Sequence, residues 1–236
     1  MVKKTDGKKI SILDMRLDNY TVRESLLRLD TYLGSTMLNV IETVTMEQLM
    51  LAAEHPVIKE CLKQADLCIV GESEILSETG NASAQRVKEI REQDFLRELL
   101  KRAVRSQKRI FLIAMTSEKI EQIQTFFAEL APKFAAVGTC AMEEYTEDMD
   151  SIVNEMNGAA PDIVISALKS PVEEEFLQSH KDKIDTCVWY GLGMAFYQGH
   201  SKIQVGRTIK KLALRGRLHH SMSKYGKMMD KDKNSV

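Results

Sequence analysis

Five short stretches of the chain carry residue types that could do chemistry, and each lies at the end of an apolar run. Glu42-Thr43-Val44-Thr45 sets two hydroxyls beside a helix start, and Gly71-Glu72-Ser73-Glu74 sets two carboxylates just past another run. Met115-Thr116-Ser117-Glu118-Lys119 offers a helix N-terminus, whose unpaired N–H groups suit a phosphate. Ala167 to Glu174 carries Lys169, Ser170, Pro171, Glu173 and Glu174, and Gly191-Leu192-Gly193 opens the last stretch. Plainer roles are open to several of these residues. Thr45 and Ser117 suit helix caps. Pro171 suits a first helical turn, and the glutamates after it suit the positive end of a helix dipole. Gly191 and Gly193 match only part of a dinucleotide fingerprint. Phe196 stands where its third glycine belongs, which argues against a nicotinamide enzyme. His219 and His220 diverge on a helix and make poor joint metal ligands.

A scaffold has to bring these stretches together. Apolar, β-rich runs at 10–15, 37–41, 67–70, 109–114, 135–138, 162–167 and 186–192 alternate with amphipathic helical segments. The runs are continuous rather than alternating, as in strands buried on both faces. Strand, helix, strand at this spacing predicts right-handed crossovers and an α/β fold: a Rossmann-like parallel sheet with helices on both faces. Ligands of such sheets bind beyond the carboxyl ends of the strands, so the five stretches should share one edge. Thr21-Val22-Arg23-Glu24 reads as a capping box, and Thr45 with Gln48 repeats it. Ser117 should cap a helix running to Leu130 before Pro132. Another helix, begun near Gln93, carries Phe95, Leu96, Leu99, Leu100 and Ala103 at helical spacing.

Composition narrows the class. With 44% hydrophobic and 28% charged residues the chain can bury a core, and no apolar run approaches the roughly 18 residues of a membrane span. The basic N-terminus does not read as a signal peptide. A cytoplasmic protein is therefore expected. Cys61, Cys68, Cys140 and Cys187 form no C-x-x-C pair and are expected as free thiols. Charge is asymmetric: residues 201–236 hold ten basic and two acidic side chains, a net of +8, while the whole chain stands at −1. The division expected is a domain over residues 1–200 and a basic, helical C-terminal appendage over 201–236. In that appendage Ile209, Leu212 and Leu218 lie among Arg207, Lys210, Lys211, Arg215 and Arg217, the pattern of a segment on an anionic membrane surface. Packing on the acidic body or on another subunit is the alternative. Nucleic acid is not expected, since Tyr225 is the segment's only aromatic residue.

The order of these features resembles the TagA/WecG/CpsF family of bacterial glycosyltransferases over about residues 12 to 200. A strand leads into the family's T-P-N motif, here Thr43-Val44-Thr45, and a later segment ends in Ala65-Asp66. The family's "pDillvglG-x-PkQE-w" reads Pro161 to Phe176, and its "GvGgaFD" reads Gly191 to Tyr197. The family's Asp-Gly falls on Gly71-Glu72, and the arginine of its next motif falls near Glu89, with Arg86 and Arg91 as neighbours. Its Lys and Gln fall on Val172 and Glu173, the preceding glycine on Lys169, and the final Asp on Tyr197. Thr43, Pro171, Glu174, Gly191 and Gly193 hold position.

The resemblance implies inverting transfer of an N-acetylmannosamine-like sugar from its UDP form to a lipid-diphosphate-linked sugar in cell-surface polysaccharide synthesis, peripheral to the inner face of the membrane. It implies no cofactor and no metal, because the family works without a D-x-D motif. Such transfer needs a base for the acceptor hydroxyl and positive charge or dipoles for the departing diphosphate. Glu72, or failing it Glu74, is expected as the base. Thr43, Thr45, Gly191 and Gly193 are expected at the donor, with Arg91 or Lys169 against the diphosphate and Glu173 and Glu174 in the substrate site. A homo-oligomer is compatible with the sequence. The alternative reading is a catalytically inactive family member acting as a regulatory or scaffolding partner in the same pathway.

Overall fold

The computed structural model describes residues 9–145, 149–193, 195–196 and 217. Eight strands form one sheet: β1 (Lys9–Ile12), β2 (Met15–Asp18), β3 (Asn39–Val44), β4 (Leu67–Val70), β5 (Ile110–Ala114), β6 (Gly138–Ala141), β7 (Ile163–Ala167) and β8 (Val188–Gly191). Their order is β1-β2-β4-β3-β8-β7-β5-β6. Every pairing from β2 to β6 is parallel, as the alternation of runs and helices requires. The helices among the described residues are α1 (Val22–Tyr32), α2 (Met46–Glu54), α3 (Pro56–Gln64), α4 (Ser73–Glu78), α5 (Ala84–Arg91), α6 (Asp94–Arg105), α7 (Ser117–Leu130), α8 (Met149–Gly158) and α9 (Val172–His180).

Helices cover both faces of the sheet. Ile110, Leu112 and Ala114 of β5 pack with α1, α6 and α7, while Phe111 and Ile113 point the other way, toward α8 and α9. On that second face α2 and α3 cover β1, β2 and the ends of β3 and β4. All five residues of β5 are buried, so the run is apolar throughout. Each large side chain so buried contributes roughly 1.5–3 kcal/mol.

Four local expectations are corrected. The run 10–15 is not one strand. It turns at Leu13 and Asp14, both at positive φ (49° and 62°), so that β1 and β2 form an antiparallel hairpin at the sheet edge. The run 135–138 is mostly approach: β6 starts at Gly138, where pairing with Phe111 begins. Thr116 rather than Ser117 caps α7, accepting from the Lys119 N–H. The Thr21 capping box is complete, but at Thr45 only half forms, because Gln48 turns its side chain elsewhere. The cysteines are free, with Cys68 and Cys140 buried. The division at residue 200 and the amphipathic segment 205–220 lie outside the described residues, apart from the exposed Arg217. Among the described residues no helix is long and apolar enough to cross a membrane.

Candidate active site

The carboxyl ends of β4, β3 and β8 open into a cleft of about 210 Å³. Thr43, Ile69 and Tyr190 form its floor, the turn from Gly71 to Glu74 one wall, and α5 with the start of α6 another. Thr43 Oγ1 donates to the Tyr190 hydroxyl at 3.0 Å, and Phe95 meets the tyrosine ring edge-on at 5.5 Å. Burial pushes the Tyr190 hydroxyl up to about 12, so it stays protonated and fixed.

The carboxylate wall follows from close packing. A Cβ added at Gly71 would lie 2.8 Å from Thr43 Cγ2 and 2.9 Å from the Val44 carbonyl oxygen. The backbone here leaves no room for a side chain, and the carboxylate comes from the next residue. Glu72 is 5% exposed, lines the cleft, and accepts the Met46 N–H at 3.0 Å through Oε2. That N–H is the first of α2, so the positive end of the helix holds the carboxylate in place. Glu74 also lines the cleft and accepts from Ser73 Oγ at 3.1 Å. Opposite them, Arg86 pairs with Glu89 at 2.6 Å and donates to Asn19 Oδ1 at 3.3 Å. Glu89 also accepts the Val22 N–H at 3.3 Å, so this ion pair fastens α5 to the start of α1. Arg91 reaches the cleft from an exposed position.

On the other face of the sheet the same edge carries a sealed group of carboxyls. Glu42, Glu173 and Glu174 are 2%, 2% and 0% exposed. Gly191 makes room for them: a Cβ there would lie 2.4 Å from Glu42 Oε2 and 2.8 Å from Glu173 Oε1. Trp189 Nε1 donates to Glu173 Oε1 at 3.0 Å. Gln48 Nε2 and Ser170 Oγ donate to Glu174 Oε1 at 2.9 and 2.6 Å. Among the described residues no cation pairs with these three glutamates, and Glu42 Oε1 and Glu174 Oε2 have no hydrogen-bond partner. Burial, followed by the charges of Glu173 and Glu174, holds Glu42 well above the usual carboxylate range. Burial, then Glu174, pushes Glu173 up to about 8 against the opposing hydrogen bonds from Ser166 and Trp189. Both carboxyls therefore favour the protonated form, Glu173 up to about pH 8.

The candidate residues divide between these places. Thr43, Glu72, Glu74 and Arg91 meet in the cleft. Glu173, Glu174, Gly191 and Gly193 lie in or against the sealed group; a Cβ at Gly193 would come within 2.9 Å of Glu173 Oε2. Thr45 is fully buried, and its hydroxyl accepts the Gln48 N–H at 3.2 Å as the cap of α2. Lys169 is exposed on the loop after β7, close enough to Lys119 for each to oppose the other's charge. Sequence reasoning gave no role in the site to Glu42, Gln48, Trp189 or Tyr190. Glu42 had a signal: it is the one charge in an otherwise uncharged strand, Asn39–Val44. Gln48 read as the capping-box partner of Thr45, and Trp189 and Tyr190 as strand residues of the run 186–192.

The sequence model of the Glycosyl transferase WecG/TagA/CpsF family matches residues 10–202. Among curated proteins, the chain is similar to the N-acetylglucosaminyldiphosphoundecaprenol N-acetyl-beta-D-mannosaminyltransferases of Staphylococcus aureus strains NCTC 8325 / PS 47 and COL. Identity is 22% over 190 residues in both cases, covering 78% of this chain and 73% of the relative. The protein of that name from strain MRSA252 matches to the same extent.

Proposed function

The chain belongs to the WecG/TagA/CpsF family of glycosyl transferases, and from that premise we propose that it moves an N-acetylmannosamine-like sugar from a UDP-sugar to a lipid-diphosphate-linked sugar. The observation that carries this reading is Glu72: a nearly buried carboxylate on the cleft wall, held by the first N–H of α2, one residue beyond a position that admits no side chain. An acceptor hydroxyl bound against Glu72 gives it its proton as the oxygen attacks the anomeric carbon. The bond to the UDP oxygen breaks on the opposite face, UDP leaves with the electron pair, and the configuration inverts. Thr43 and Tyr190 shape the floor under the sugar. Arg91 and Lys169, both exposed, supply positive charge to the departing diphosphate. General-base assistance of this kind is worth roughly 10²- to 10⁴-fold in rate.

The test is calorimetric titration with UDP and a panel of UDP-sugars, followed by transfer of labelled sugar to a lipid-diphosphate-linked N-acetylglucosamine. Binding and transfer are expected for an N-acetylhexosamine donor. A preparation that binds no UDP-sugar sinks the reading and leaves the inactive, scaffolding alternative. For the membrane, the proposed anchor is the basic segment 205–220. Sedimentation with anionic but not neutral vesicles, lost on truncation after Gln204, is expected; a truncated chain that binds equally well removes the segment from that role.

A further inference from the structure

The sealed carboxyl group and the cleft are joined by a run of hydrogen bonds that passes through the first turn of α2. Ser170 and Gln48 both donate to the same oxygen of Glu174, at 2.6 and 2.9 Å. Gln48 is the third residue of α2, and its own N–H is held by Thr45 at 3.2 Å. Two residues earlier in the helix, the Met46 N–H donates to Glu72. Gln48, Thr45, Met46 and Glu174 are each at most 3% exposed, so water does not compete along this route. The run starts in the loop and helix that follow β7, crosses over β8, and ends on the turn after β4.

We propose that Gln48 and Glu174 are positioning residues for Glu72, acting as a latch that fixes the start of α2 so that its first N–H stays aimed at the Glu72 carboxylate. The inference rests on Glu72 being the base. It gives Glu174 a part in which it never touches substrate, and it assigns one to Gln48, which has none in the reading above. The physical reason is the cost of a loose helix end. The first-turn N–H groups of a helix have no partner inside the helix, and a terminus without tertiary fixing frays. A Met46 N–H that wanders stabilises the charged form of Glu72 less, so the carboxyl titrates higher and is aimed less well at the acceptor hydroxyl. The other titratable and charged groups lining the cleft with Glu72 are Glu74, Arg86, Glu89, Arg91 and Tyr190, and the substitutions below leave all of them in place.

The test compares Glu174→Gln, which keeps an acceptor oxygen for Gln48 and Ser170, with the double variant Gln48→Leu/Glu174→Leu. The double variant replaces Gln48 and Glu174 together by apolar groups of similar shape, which is close to neutral for folding, and the half-buried Ser170 hydroxyl can turn to water, so the variant is expected to remain folded. Its acidic limb of kcat should move up by about one pH unit and kcat should fall about tenfold, the size of losing one N–H bond to a carboxylate. KM for the donor should stay within about twofold, because the change falls on the transition state and not on donor binding. Glu174→Gln, which keeps the acceptor, should leave amide exchange at Met46 as it is in the parent protein. Amide hydrogen exchange gives a readout independent of turnover: it should accelerate at Met46 in the double variant and stay unchanged in β5. Unchanged exchange at Met46 in the double variant, an unmoved acidic limb, or a Glu174→Gln variant whose Met46 amide exchanges as fast as the double variant's overturns the latch. A rate that survives Glu72→Gln removes the base assignment and the latch with it. A rate lost in Glu72→Gln while the double variant keeps its pH profile removes the latch alone.

Discussion

Thr43 and Glu42 are neighbours in the chain, yet they belong to different worlds. Thr43 points to the face of the sheet carrying α1 and α6 and lines an open cleft, while Glu42 points to the face carrying α2 and α9 and is sealed. In the cleft the carboxylates meet solvent, a helix N-terminus or an arginine, as Glu72 meets the Met46 N–H and Glu89 meets Arg86. In the sealed group Glu42 and Glu173 have no cation and lie against a glycine, and burial keeps them protonated. Carboxyls at one strand edge thus line an open cleft on one face, while on the other Glu42 and Glu173 serve as packing groups that favour the protonated form. The side on which a strand residue emerges decides which.

The widest separation of the two regions should appear in Glu72→Gln against Glu173→Gln. The first is expected to lower sugar transfer roughly 10²- to 10⁴-fold with the fold intact. The second replaces a carboxyl that is already neutral and should change the rate by less than about threefold, as expected of a group outside the reacting atoms. Equal losses in the two variants would erase the functional boundary. Next in size is Gly191→Ala, whose new methyl collides with Glu42 and Glu173. Overpacking of this kind costs about 1–3 kcal/mol, to be read from the urea midpoint. An unshifted midpoint would mean that the carboxyls are free to move aside.

The pH dependence of stability is smaller and has a definite sign. Glu42 and Glu173 hold their protons more tightly folded than unfolded, where a carboxyl titrates near its ordinary value of 4.5. Their stabilising share is therefore complete below pH 4.5 and is lost as pH rises toward the folded values, about 8 for Glu173 and well above the ordinary value for Glu42. Urea midpoints should fall between pH 5 and pH 8, and the fall should flatten in Glu42→Gln. A curve that is level in the parent chain contradicts the neutral group. The smallest effect is expected at Lys169. Its exposed ammonium should contribute to diphosphate binding by no more than about 1 kcal/mol, so Lys169→Gly should weaken UDP affinity at most about fivefold. A gain in affinity would mean that the lysine obstructs the donor.

Much of the scaffold was legible because its signals are local. The run at 67–70 became β4 residue for residue, and Thr21 with Glu24 formed the reciprocal cap that their spacing announces. The hairpin was hidden because its turn uses Leu13 and Asp14 at positive φ, without the Asn-Gly or Gly signal that such turns usually carry. At the site, Glu72, Glu74 and Thr43 could be placed at the cleft from their positions at strand ends. Glu173 and Glu174 could be found but not understood. Nothing in their spacing tells that α9 turns both inward onto Gly191 and Gln48, since that depends on contacts across 16 to 126 residues of chain. Tyr190 and Trp189 are adjacent on β8 and fall on opposite faces, and only the register of β8 on β3 says which one meets Thr43.

Trp189 has an optical consequence. It is the only tryptophan in the chain, it is fully buried, and its indole N–H donates to Glu173 while Phe176 stacks at 5.8 Å. All indole emission therefore originates beside the carboxyl whose ionisation is in question. A charge appearing on Glu173 changes the field along that N–H, so the colour and yield of the intrinsic fluorescence should track its protonation in the native protein. The molecule carries its own spectroscopic electrode in the sealed half of the sheet edge, and the cleft half holds no tryptophan to confuse the signal.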